Sequence, residues 1–255
     1  MANMEFLRAN LLNTTTMIRA STGTGTFAYA FNRNNDLSYS TVGHTTNTST
    51  LISIEFQGPT VISQLLLLNH NLRQFRAFYN STTASVFSTD INTTTNSQSS
   101  SYFAFNSVTV NSVQIQMDRA MTADIERRIG ELIVTERRLR WEVNASHQNF
   151  KPSIKRARVI HTMPDGGKAV FNIANKYQAK VKLEFISSTF TSNLETVWNE
   201  AQALVFVPYP TIGSDWNGVA PETVFASENF DFTYAENSKT QGYTGDFELA
   251  ETPSA

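Results

Sequence analysis

Apolar and polar residues alternate with a period of two over much of the chain, the pattern of strands that turn one face to a core. Ile52, Ile54 and Phe56 alternate with Ser53 and Glu55. Phe75, Ala77 and Tyr79 repeat the pattern, as do Val113, Ile115 and Met117. Further on, Val181, Leu183 and Phe185 alternate with Lys180, Lys182 and Glu184. Phe230, Phe232 and Tyr234, followed by Tyr243, Phe247 and Leu249, predict a last antiparallel pair. Phe27, Tyr29 and Phe31 predict one strand near the start. Val61 to Leu68 departs from alternation as a continuous apolar run, which predicts a strand buried on both faces. Ile129 to Thr135 and Ala203 to Val207 complete the predicted strands.

Breakers and polar stretches divide this pattern. Gly58-Pro59 marks a turn, and Pro164-Asp165-Gly166-Gly167 sits between two apolar runs as a hairpin turn. One helix is predicted, with Ser192 and Glu195 read as a capping box and Leu194, Val197, Trp198 and Ala201 on one face. Asn80 to Ser101 is almost all Ser, Thr and Asn, with Asp90 its only charge, and is expected to be a long flexible loop. Residues 141–156, which include Pro152, read as a linker. The expected organisation is a mainly β chain with a β-sandwich over residues 1–145. Residues 146–255 are expected to form an antiparallel β-domain with one short α-helix.

Composition narrows the function classes. At 255 residues and 40% hydrophobic content, with 18 Phe, the chain has ample material for a packed core. It has no cysteine, which excludes disulfides and thiolate metal sites. No stretch approaches the ~20 apolar residues of a membrane-spanning helix, and no secretory signal is legible at the start, so no membrane partner is expected. The net charge of −2 conceals an asymmetry. Residues 116–182 carry fourteen Lys or Arg against seven acids, whereas residues 183–255 carry Lys239 against eleven acids. A basic block around Arg137-Arg138-Leu139-Arg140 lacks any nucleic-acid motif and has acids interleaved, so no sequence-specific nucleic-acid partner is expected. Opposed charges of this kind suit contacts between copies of one chain, as in a ring.

The order Ala20-Ser21-Thr22, Asp36-Leu37-Ser38-Tyr39-Ser40, Ile52-Ser53-Ile54-Glu55-Phe56, Asn69-His70-Asn71 and Ile129-Gly130-Glu131-Leu132-Ile133-Val134 resembles the discoidin, or coagulation-factor type C, family. The resemblance spans roughly residues 8–140 and implies a galactose-binding-like jelly-roll sandwich. Tyr39 stands where the family pattern usually has Trp, and the family's terminal cysteine pair is absent. Residues 155–252 are similar to domains of phage tail-tip and baseplate proteins, with the Gly-Gly hairpin, the short helix and Phe206-Val207-Pro208-Tyr209-Pro210 carrying the likeness. Together the two resemblances imply a structural virion protein of a tailed phage, made in the host cytoplasm and placed in the tail. Its expected partners are other tail proteins and further copies of itself.

No catalytic constellation stands out, and neither enzyme activity nor a cofactor is expected. His44, His70, His147 and His161 are scattered, with none of the pairings of a metal site. His70, between two Asn residues at the end of a strand, reads as a turn histidine bonded to backbone. Gly23-Thr24-Gly25 follows no strand and opens no helix, and Glu222, Glu228 and Asp231 read as surface acids. The alternative function is carbohydrate binding or receptor recognition. Aromatic rings stack on sugars while amides and hydroxyls orient them, and Tyr39, Tyr79 and Trp216 are the candidate glycan contacts, with Phe78 weighed beside them. Phe78 and Tyr79 are neighbours in one strand, so one of the two must face the core.

Overall fold

The computed structural model describes residues 3–13, 17–20, 27–31, 37–41, 49–80, 85–123, 125–146, 148–200, 203–208, 224–226, 231–238 and 242–250. In chain order the strands of the first half are β1 (Glu5–Arg8), β2 (Met17–Ala20), β3 (Tyr39–Ser40), β4 (Thr50–Leu68), β5 (Leu72–Tyr79), β6 (Ile91–Thr93), β7 (Ser101–Ala120), β8 (Arg128–Ile129), β9 (Glu131–Thr135) and β10 (Arg137–Arg140). There follow β11 (Phe150–Thr162), β12 (Lys168–Ile186), helix α1 (Ser188–Asn199), β13 (Leu204–Val207), β14 (Val224–Ala226), β15 (Asp231–Ser238) and β16 (Gly242–Ala250). The fold is mainly β, as expected.

Two long strands shape the first half. β4 and β7, of 19 and 20 residues, pair antiparallel from Thr50↔Met117 to Leu67↔Ser101. Leu72, five residues after Leu67, pairs with Ala120 at the other end of β7. Five residues reach at most about 18 Å, whereas a straight 20-residue strand runs about 65 Å. The β4–β7 pair therefore folds back on itself, and its two halves become the two sheets of a sandwich. The bend falls where the register slips, between Glu55 and Thr60 and again between Ile62 and Gln64. Gly58-Pro59 is thus a bulge within one strand rather than the turn expected, because β7 keeps its pairing on either side of it.

Alternation on the buried run then assigns each residue to a core. Leu65 and Leu67 point into the sandwich with Ile52, Ile54, Phe75, Ile115, Leu132 and Val134. Leu66 and Leu68 point the other way, with Tyr102 and Ile133, and pack on Leu7, Val205 and Val207. Those last three lie in a sheet ordered β10-β1-β13-β14. Its far face presents Met4, Phe6 and Phe206 to a third core with Trp141, Phe150, Val181, Leu183, Phe190, Leu194 and Val197. A sheet ordered β11-β12-β16-β15, together with α1, closes that core. The result is four stacked β layers. Sheet pairing crosses the expected division at 145/146, since β1 and β10 lie beside β13.

Several expectations change for local reasons. Residues 27–30 form a 3-10 turn rather than a strand. From Ser85 onward the polar stretch is anchored instead of loose: β6 pairs with β5, and the Phe87 ring stacks on Phe105 at 4.2 Å. The buried Asn96 side chain donates to Leu72 O and Gln98 O, both at 2.7 Å, giving a polar segment the fixed partners its composition did not show. Residues 150–156 belong to β11, an edge strand where Pro152 costs no ladder donor. Helix α1 starts earlier than expected, because Ser187 is the cap, its hydroxyl accepting from Phe190 N–H at 3.0 Å. The Asp165-Gly166 hairpin forms as expected, with Gly166 at φ 83 and the Asp165 carboxylate accepting from Gly167 N–H at 2.9 Å.

Candidate binding surface

The pairing register decides which side chains meet on the exposed face of the outermost sheet. With Phe75 and Ala77 of β5 and Ile115 and Met117 of β7 turned inward, Arg76, Phe78, Gln116 and Asp118 must turn outward. Arg76 lies directly across from Gln116. Its Nε and Nη2 donate to Gln116 Oε1 at 3.0 and 2.7 Å. The Gln116 amide donates in turn to Asp118 Oδ1 at 2.7 Å and to Ser49 Oγ at 3.2 Å, and the Ser49 hydroxyl donates to the same Asp118 oxygen at 2.6 Å. The Arg76 guanidinium carbon sits 6.0 Å from the centre of the half-buried Phe78 ring.

This row is tied to the interior through Arg127. That side chain is 2% exposed, and its Nη2 donates to the Asp118 carbonyl at 2.6 Å. Its Nη1 reaches Thr50 Oγ1 at 3.4 Å, and its backbone N–H donates to Thr41 Oγ1 at 3.0 Å. Burial lowers the guanidinium pKa, an effect the Asp118 charge opposes. Asp118 is thereby pinned at its backbone while its carboxylate faces out. Two groups on the row have no partner among the described residues, Arg76 Nη1 and Asp118 Oδ2. The face thus offers a cationic donor and an anionic acceptor, spaced by an amide, beside an aromatic ring.

The expected contacts fare differently. Tyr39 is buried at 1% exposure, paired with Ile129 and packed on the Phe27 ring at 5.0 Å, and burial raises its phenol pKa. Its ring is a core element, which removes it as a glycan contact. Tyr79 is half-buried and turned toward the sandwich core, its ring 5.1 Å from Phe87, so Phe78 is the outward member of that neighbouring pair. Trp216 lies outside the described residues, as do His44, His147, Glu222 and Glu228. Ser49, Arg76, Gln116 and Asp118 were not singled out in the sequence. The same alternation that marks Ile115 and Met117 as inward marks two of them as outward, but only the register shows that they meet.

His70 is a structural residue, as read from its turn. It is buried, its Nδ1 accepts from Leu72 N–H at 3.1 Å, and its Nε2 therefore carries the proton and donates to Ser101 Oγ at 3.0 Å. Burial lowers its pKa to about 4. The basic block of β10 is paired within the chain, although Arg137 and Arg140 stay exposed. Arg138 makes a two-pronged ion pair with Glu200, which holds that carboxyl below its usual range. Arg137 and Arg140 reach Glu5 at 3.5 and 3.9 Å. Among the described residues no three His, Cys, Asp or Glu gather as metal ligands, and no helix is long and apolar enough to cross a membrane.

No protein-family model and no curated protein matches the sequence. Solved structures do resemble the chain over about half its length. A chitosan-binding module 1 from a chitosanase/glucanase of Paenibacillus sp. IK-5 is 15% identical over 47% of this chain and 93% of its own, with a TM-score of 0.39. CpGH89CBM32-5 from Clostridium perfringens, solved with GalNAc-β-1,3-galactose, is 14% identical over 47% of this chain and 94% of its own, with a TM-score of 0.37. A putative α-L-fucosidase from Bacteroides thetaiotaomicron is 9% identical over 50% of this chain and 28% of its own, with a TM-score of 0.43.

Proposed function

We propose that the protein is a non-enzymatic carbohydrate-binding protein whose outer sandwich face recognises neighbouring hydroxyl groups of a glycan. The observation that carries this reading is the Arg76–Gln116–Asp118–Ser49 row with Phe78 beside it. A sugar diol both donates and accepts hydrogen bonds. Asp118 Oδ2 takes the donated proton, Arg76 Nη1 supplies the donor, and the Phe78 ring covers an apolar sugar face. The row is already cross-linked by hydrogen bonds before any ligand arrives, which limits the ordering cost of binding. A glycan array probed with the full chain tests it, alongside R76A and D118A. Binding that falls at least tenfold in both variants is the expected result. An array without hits, or hits indifferent to both substitutions, overturns the reading.

A second reading is a structural component of a tailed-phage particle, which rests on the sequence resemblance of residues 155–252 and on the opposed charges of residues 116–182 and 183–255. That reading requires copies of the chain to join. A strictly monomeric chain removes it.

A further inference from the structure

The β11–β12 pair runs from Phe150↔Val181 to Thr162↔Lys168, yet β16 covers β12 only from Gln178 onward. The nine outer positions of β11, Ile154 to Thr162, and the β12 residues paired with them therefore have no third strand among the described residues. At ~3.3 Å per residue this arm is about 30 Å long. A two-stranded hairpin is marginal in water on its own.

Both faces of the arm carry exposed apolar side chains. Val159 pairs with Phe171 on one face, where the His161 ring meets Phe171 at 5.7 Å. Ile160 pairs with Val170 on the other face. Ile160, Val170 and Phe171 are 58%, 51% and 57% exposed, and Met163 at the turn is 47% exposed. A soluble hairpin ordinarily presents polar residues to water on at least one face. Its charge is one-sided: residues 154–177 hold five Lys or Arg and one acid, Asp165. Residues 183–255 hold eleven acids and one base. Among them, Asp246 is exposed beside the root of the arm, where Glu248 and Glu184 already pair with Lys180 and Lys182 at 3.4 and 3.6 Å.

We infer that the hairpin arm is a self-assembly element that inserts against the acidic C-terminal half of a second copy of this chain. Burial of Ile160, Val170 and Phe171 supplies the contact, and the opposed charges set its orientation. The arm and the sugar-facing row lie in the first and last layers of the stack, so neither inference depends on the other.

Sedimentation velocity on the full chain across a concentration series, at 50 and 500 mM NaCl, tests the inference. Self-association is expected, at least tenfold weaker at high salt. The exposed-site variant I160D/F171D is expected to be monomeric at every concentration, with the thermal midpoint that wild type shows at its lowest concentration. The charge reversal R158E/K168E should weaken association at least tenfold at low salt. A monomeric wild-type chain at 100 μM, or association untouched by I160D/F171D, overturns the inference. So does assembly of wild-type chain that appears only when nucleic acid is added.

Discussion

Acidification should unfold this protein partly through one residue, His70. In the folded chain its Nδ1 accepts from Leu72 N–H, so a second proton has no place without breaking that bond inside a buried turn. The folded pKa of about 4 lies below the ordinary 6.5. Between those values the unfolded chain binds a proton that the folded chain refuses, so stability falls as pH falls. The contribution is complete above about pH 6.5, and the difference between the two pKa values makes it worth about 3 kcal/mol, of which about 2.5 is gone by pH 4.5. Below about pH 4 both states carry the proton and the dependence levels off.

Urea denaturation of wild type and H70Q at pH 7.0 and 4.5 isolates the effect, because the carboxylates titrate alike in both proteins. At pH 7.0 the variant should be the less stable, having lost a well-placed pair of hydrogen bonds. Toward pH 4.5 the gap should shrink by about 2.5 kcal/mol, or invert, since glutamine does not titrate. A wild-type-minus-variant difference that stays constant within about 0.5 kcal/mol across that range would refute the reasoning, whatever the absolute stabilities.

Two further outcomes follow from the packing between layers. In G130A the added methyl carbon would stand 2.6 Å from Asn69 Cβ and 3.1 Å from Leu68 O, both held by the β4–β5 turn; a loss of about 2 kcal/mol is expected in urea melts, and a neutral result would show that the turn yields. In Y102F the buried Glu5 carboxylate loses a hydroxyl donor at 2.5 Å, and a loss of about 1 to 3 kcal/mol is expected by the same measurement, with an undiminished midpoint counting against the bond.

What was legible in the sequence was whatever depends on neighbours along the chain. The alternation at Ile52, Ile54, Phe75, Ala77, Ile115 and Met117 gives the core faces correctly, and the run expected to be buried on both sides is so from Ile62 to Leu68, with Val61 exposed. Turn chemistry located the Asp165-Gly166 hairpin. Contacts across long separations were not legible. Glu5 and Tyr102 lie 97 positions apart, and nothing local marks either as the other's partner. Arg137 to Arg140 look like a basic surface patch until β10 is paired with β1. The Arg76–Gln116–Asp118 row fails to show for the same reason, since Arg76 meets Gln116 only through register. Ser192 and Glu195 misled because their spacing satisfies a capping pattern that Ser187, five residues earlier, fulfils in fact.

The four residues of β1 explain why the two halves cannot be read separately. Phe6 packs into the core with Trp141 and Phe206, at ring distances of 5.2 and 5.6 Å, while Leu7 packs against Leu66 and Ile133 in the next core. Glu5 gathers Tyr102 from the sandwich and Arg137 and Arg140 from β10. A single short strand therefore contributes to both cores and neutralises much of the basic block. This relocates the charge argument. With the β10 arginines paired to Glu5 and Glu200, and Lys180 and Lys182 paired to Glu248 and Glu184, the remaining excess of positive charge lies on the β11–β12 arm, where five bases face one acid over residues 154–177. In the proposed reading the stack of sheets separates the sugar-facing row in its first layer from the hairpin arm projecting from its last.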